Sequence, residues 1–331
     1  MASMLVQALQ DLGYHEQAQE LAGLALKLAR TSFGDEDEYS LAARTDLAAS
    51  LDFAGKFSEA EEETRIVLRQ RKSLLGPTNP ATLTSMKNLA MTIEHQGRHG
   101  EAEALYRELI DIQTLTETPY SKAMLATKQN LAVSLQTQGK LEEAYNLFQQ
   151  VLDGRIQQGE STLAVYYSMS NVGCSLWGQN RVDEAWETHS VVFSRCEQDL
   201  GRDNPQTIRS MTWMALILQS MGDKYFDEAE RYWTESLDLY RARLGRQHPD
   251  TLRTQRGLVT ILHERGRQGR ALRVCQDLYE LTRKHREFGP RHPDFLDIKD
   301  HQKQLIEEIA EAKSEDLGSW PPEPSFVHSN L

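Results

Sequence analysis

Apolar residues recur at three- and four-residue spacing along most of the chain, and short polar breaks interrupt them at regular intervals. In the stretch 76–109, GPTNPATLTSMKNLAMTIEHQGRHGEAEALYREL, Leu89 and Ile93 mark one amphipathic helix, and Leu105 and Leu109 mark its partner. The break QGRHGEA separates the two. The pattern predicts a helix–turn–helix unit.

The unit repeats. An alanine at the turn exit occurs at Ala18, Ala60, Ala102, Ala144, Ala185, Ala229 and Ala271, in steps of 42, 42, 42, 41, 44 and 42 residues. A glycine stands five residues before most of these markers, at Gly13, Gly55, Gly97, Gly139 and Gly266, with Asn180 in its place in the fifth unit. These positions predict a left-handed residue that ends the first helix. The sixth unit has Gly222 and two extra residues around Asp223–Lys224. Twelve residues before the marker a small residue recurs (Ala48, Ala90, Ala132, Gly173, and Ala215 once the insertion is allowed for), which lets two helix backbones approach closely. Val259 breaks that rule and predicts looser packing in the seventh unit.

A second turn recurs as LGPTNPATL (75–83), LGRDNPQTI (200–208), LGRQHPDTL (244–252) and FGPRHPDFL (288–296). Its glycine stops one helix, and Pro80, Pro205, Pro249 and Pro293 stand where the next begins. A lone helix pair cannot bury its apolar faces, so such units must stack. The expected fold is all-α, a right-handed superhelical solenoid of about seven repeats over 1–313. The segment 293–313 reads as an unpaired eighth first helix with a charged outer face. The Pro- and Ser-containing tail 314–331, with its WPPEP, reads as solvated and disordered. The first unit starts inside its first helix, either as a short cap or as the continuation of a longer chain.

The motif NLA…QG…EAE.L…LG..HPDTL resembles the 42-residue tetratricopeptide repeat of kinesin light chains, and of similar arrays fused to nucleotide-binding domains. The resemblance spans roughly Met4 to Lys313. It lapses at LTETPYSKAML (115–125) and RIQQGESTLAV (155–165), where the LG..HP turn is lost. It implies a superhelix whose first helices line a concave face, and scaffold or ligand-binding work, usually with a peptide.

Charge narrows the partners. Acidic residues outnumber basic ones, 49 to 37, and the basic residues form no block, so nucleic acid is not expected. The three cysteines lack any CxxC and suit a reducing compartment. No signal-peptide pattern and no membrane-length apolar run occurs, so a cytoplasmic protein without membrane partners is expected. The sequence contains no GxxxxGK[ST], HExxH or GxSxG, and no cofactor, metal or catalytic role is expected. Acidic pairs such as Glu61–Glu62 and Glu142–Glu143 are read as favouring helix N-termini.

Candidate ligand residues lie two before the small position, at Asp46, Asn88, Asn130, Asn171, Trp213 and Gly257. The repeat resemblance puts this register on or beside the concave face. The three asparagines can hold the backbone of an extended peptide, or can bond a neighbouring helix and stabilise the stack. Neighbouring candidates are Lys87, Met91 and His95 in unit three, Gln129 in unit four, and Tyr167, Cys174 and Trp177 in unit five. Arg209 belongs to unit six, and Arg256 and His263 to unit seven. Four of five tryptophans lie between 177 and 233, and units five and six also carry the Asn180 turn, the 41-residue step, the insertion around Asp223–Lys224 and the lost turn near 158. Trp177 and Trp213 are read as ligand anchors, Trp186 and Trp233 as fillers of irregular packing. Arg209 and Arg256 suit a ligand carboxylate or plain solvation, and Cys174 a small buried thiol.

The leading functional expectation is a non-enzymatic scaffold or adaptor that binds a peptide or extended protein segment in its groove. The alternative is a small-molecule pocket, with catalysis open, in repeats five and six (about 160–235). Self-association through the N-terminal repeat is a third.

Overall fold

The computed structural model describes residues 2–11, 14–283 and 293–315. Fifteen α-helices and no strand occur among them. Contacts group the chain into two compact units, 1–179 and 180–331. The first holds α1 (Ala2–Asp11), α2 (His15–Phe33), α3 (Glu38–Phe53), α4 (Phe57–Leu75), α5 (Pro80–His95), α6 (His99–Thr116), α7 (Lys122–Thr137), α8 (Leu141–Gln157) and α9 (Thr162–Gly178). The second holds α10 (Val182–Leu200), α11 (Pro205–Ser220), α12 (Phe226–Leu244), α13 (Pro249–Glu264), α14 (Gln268–Arg283) and α15 (Pro293–Glu315). Within each unit every helix packs on the next in sequence, and first helices also touch, α3 on α5 and α5 on α7.

The expected stop signals are in place among the described residues, and Gly13 lies outside them. Gly97 has φ +76° and Asn180 φ +60°, so the fifth turn uses the non-glycine residue that tolerates this region best. The small residues Ala90, Ala132 and Ala215 are completely buried. Val259 is buried to 1% exposure in the same register and belongs to the core cluster of the second unit.

The second turn is built more fully than its Gly and Pro suggest. Asn79 and Asn204 cap α5 and α11, each side-chain oxygen accepting from the N–H two residues on at 2.9 Å. His248 caps α13 in the same way, its Nδ1 accepting from the Asp250 N–H at 3.2 Å. Thr82, Thr207 and Thr251 donate their hydroxyls at 2.8 Å to the carbonyls of Gly76, Gly201 and Gly245, closing the turn. Where the motif is lost, serine takes over: Ser121 caps α7 and Ser161 caps α9, and Gly159 adopts φ +61°. The two extra residues of unit six form a 3₁₀ turn, Asp223–Tyr225, ahead of α12.

Neighbouring repeats are pinned by the residue after the marker alanine. Glu61 accepts from Arg98 at 2.9 Å and from Gln96 at 2.6 Å, both in the following repeat. Glu103 does the same with Lys140 at 2.6 Å and Gln138 at 2.9 Å. Glu230 gathers Arg265, Arg267 and Arg270. These glutamates lie beyond the first turns, whose acids are Glu59, Glu101, Asp227 and Glu228, so Glu61 is an inter-repeat clamp rather than the helix-start acid expected of it. Burial alone would raise the Glu103 carboxyl, but hydrogen bonds from Lys140, Gln138 and Arg107 outweigh it and hold its pKa down at about 2.

α15 packs on α14, with Ile298 and Leu305 in the core cluster, as expected for a helix that closes the second unit. The tail assigned to 314–331 falls outside the described residues except for Ser314 and Glu315, which belong to α15.

Candidate functional site

A cavity of about 400 Å³ opens between α3, α4 and α5 in the first unit. Its walls follow from the repeat. Ala48 and Ala49 of α3 carry too little side chain to fill the space between consecutive first helices. α4 contributes Phe57 and Val67, and α5 contributes Met91. Phe53, at the end of α3, is 55% exposed, so an aromatic edge is left uncovered at the cavity margin. The lining is mainly apolar, as in sites that bury an apolar ligand group.

Polar groups converge on the same space. Asn88 and Thr92 stand four residues apart on α5, which aligns them on one helix face. Neither side chain is bonded to another described residue. At one end His95 Nδ1 lies 2.6 Å from Asp52 Oδ2. The hydrogen bond to Asp52 raises the His95 pKa against the opposing effect of burial, and the Asp52 charge adds to it. The other Asp52 oxygen, Oδ1, is buried and has no hydrogen-bond partner. The Phe57 ring lies 6.0 Å from the His95 ring and tilts against it at 50°.

Of the residues singled out from sequence, Asn88, Met91 and His95 line this cavity. Lys87 precedes them on α5 and has no ion-pair partner among the described residues. The cavity also contains Asp52, 43 residues before His95, and Phe53 and Phe57, and these two aromatic residues were absent from the candidate ligand set.

The other candidates are scattered. Gln129 is engaged, accepting from Arg155 at 2.7 Å. Asn130 stands near the buried Tyr106 hydroxyl, which burial and Glu94 push above its ordinary pKa. Asn171 has no side-chain partner among the described residues. Tyr167 is 36% exposed on α9, Cys174 is buried, and Trp177 is half-buried near the end of that helix.

In the second unit Trp213 stacks on His189 of α10, with ring centroids 5.3 Å apart and planes at 12°. The ring therefore has a packing partner in place. Burial, with the Arg209 charge nearby, depresses the His189 pKa to about 3 and keeps the imidazole neutral. Arg256 is tied to Asp297 of α15 at 2.9 Å. His263 is held by Glu308 at 2.7 Å and faces His301 at 2.9 Å, also on α15. These two candidates dock the last helix. Trp233 fills a gap as expected: its ring occupies the space a side chain at Gly257 would need, and its Nε1–H donates to Gln219 at 3.1 Å. Among the described residues no group of three or more His, Cys, Asp or Glu is placed to hold a metal ion. None of the described helices is long and apolar enough to cross a membrane.

A tetratricopeptide-repeat family model matches residues 65–114 and 206–284, and a second tetratricopeptide-repeat model matches 124–157. The chain carries tetratricopeptide repeats. The crystal structure titled for kinesin light chain nearly identical TPR-like repeats of Podosopora anserina is 23% identical, with a TM-score of 0.54 over 61% of this chain and 95% of that one. The apo form of the quorum sensor NprR from B. thuringiensis is 11% identical, with a TM-score of 0.61 over 96% of this chain and 82% of that one. The apo form of RapI is 8% identical, with a TM-score of 0.62 over 95% of this chain and 98% of that one. At these identities the likeness is one of fold. No curated protein matches the sequence. In tetratricopeptide terms the cavity sits on the first-helix face of repeats two and three, between the second helix of repeat two and the first helices of both.

Proposed function

We propose that the chain is a non-enzymatic scaffold that holds an extended protein segment on the first-helix face of its first unit, with the cavity of repeats two and three as the anchor point. A tetratricopeptide-repeat fold suggests a protein-binding scaffold or adaptor. The observation that carries the finer reading is the cavity itself. It offers an apolar floor for one ligand side chain, and the unengaged Asn88 amide beside it can donate to and accept from a peptide main chain. Asn171 repeats the uncommitted amide two repeats on, and Met91 and Val133, at 36% and 46% exposure, hold one register in successive first helices. The apo quorum sensor among the similar folds supports a ligand-holding role.

Selection of a random peptide display library on the immobilised chain tests this reading. Enriched peptides are expected to lose binding to the Ala49→Trp variant, whose ring fills the cavity. Enrichment that is indifferent to this change would overturn the reading.

A small-molecule site is the second reading. The mainly apolar lining of the cavity suits such a site, whereas the larger hollow that repeat six lines with Asp227, Glu230 and Arg231 is walled by charged groups, which favours repeats two and three for this role. Native mass spectrometry of the purified chain would reveal a retained ligand, and Ala49→Trp should release it.

A further inference from the structure

We infer that the anchor cavity recognises a basic–apolar peptide segment: an apolar side chain in the cavity and a neighbouring Lys or Arg over α3. This rests on the reading of the cavity as a peptide anchor and adds the charge of the partner.

Charge on α3 is only partly compensated. Asp46 and Asp52 both lie on α3. Asp46 falls in line with Ala49 and Phe53 at spacings of three and seven residues, on the helix face that borders the cavity. Its carboxylate is half-buried and has no ion-pair or hydrogen-bond partner among the described residues. Asp52 gives one oxygen to His95 and keeps the other buried without a donor. Most other carboxylates near this region are compensated. Glu63 pairs with Arg44 at 2.6 Å, Glu38 with Arg71 at 2.5 Å, and Glu61 with Arg98 at 2.9 Å. A buried acceptor left without a donor costs free energy that a ligand donor can recover. A carboxylate without a partner on the helix that ends in the exposed Phe53 suits a cation on an aliphatic stem.

On α5, Asn88 lines the cavity, and Lys87 precedes it in the chain with no ion-pair partner among the described residues. The cationic side chain is thus assigned to the α3 side and the ligand main chain to the Asn88 side. The net charge of −12 adds a long-range attraction for a basic partner.

The display selection decides this separately from the parent reading. The enriched sequences are expected to pair an apolar residue with Lys or Arg. The best peptide, synthesised with a fluorophore, should bind at least tenfold more weakly to Asp46→Asn/Asp52→Asn, and more weakly as salt rises. Asp46→Asn alone leaves the His95 pair intact and should give part of the loss, which guards against a folding defect in the double variant. An acidic or uncharged consensus that still depends on an open cavity would sink the charge assignment and leave the scaffold reading standing. An unchanged affinity in Asp46→Asn/Asp52→Asn would sink it equally. Peptides insensitive to Ala49→Trp would remove both.

Discussion

His95 Nδ1 and Asp52 Oδ2 lie 2.6 Å apart and join the first helices of two successive repeats at one end of the cavity. The pair is charged only while the imidazole is protonated. The His95 pKa is raised above its ordinary 6.5, so the stabilisation is complete below about 6.5 and is lost as pH rises through the higher folded value. Proton NMR titration of the His95 ring should show that upward shift, and Asp52→Asn should bring the value back toward 6.5. A His95 titration unaffected by Asp52→Asn would show that the pair does not form.

Glu103→Gln should destabilise the first unit by about 2 kcal/mol, since it removes charge-assisted hydrogen bonds from Lys140 and Arg107 at a largely buried position. The Glu103 pKa is lowered from 4.5 to about 2, so its contribution is present above about 4.5 and disappears as pH falls toward 2. Urea melts of wild-type and variant chains at pH 7 and pH 3 measure this. The difference between them should shrink at the lower pH.

His189 is the acid-sensitive point of the second unit. Its pKa is depressed to about 3 by burial and by Arg209, so the neutral ring supports the fold above about 6.5 and that support is lost as pH falls below it. His189→Phe keeps a flat ring against Trp213 and removes the titrating group. Thermal melts between pH 7 and pH 5 should fall more steeply for wild type than for this variant, and equal slopes would refute the assignment.

Gly257→Ala should destabilise the second unit by roughly 1–3 kcal/mol through overpacking. A Cβ there would lie 2.5 Å from the Trp233 ring. Trp233→Leu in the same chain should recover part of the loss, measured as Tm. A neutral Gly257→Ala would mean that the ring moves freely.

The framework was legible because it is local. A left-handed residue at 97 or 180 and a proline at a helix start act within a few residues, so spacing alone reveals them. The clamp at Glu61 reads in the sequence as a helix-start acid and the one at Glu103 does not stand out at all, since their partners lie 35 residues or more away and the pattern of one repeat does not contain them. The site was harder for the same reason. Register pointed to Asn88, Met91 and His95, but the apolar walls from Phe53 and Phe57 come from the end of one helix and the start of the next, outside the register used. Aromatic concentration drew attention to Trp213, whose ring is stacked on His189.

Hydrogen-exchange mass spectrometry of the chain with and without a display-selected peptide tests the central claim most directly. Binding on the first-helix face should slow exchange in α3 and α5, chiefly over 45–53 and 85–95, and Ala49→Trp should abolish the effect. Protection confined to the second helices, or unchanged by Ala49→Trp, would contradict it.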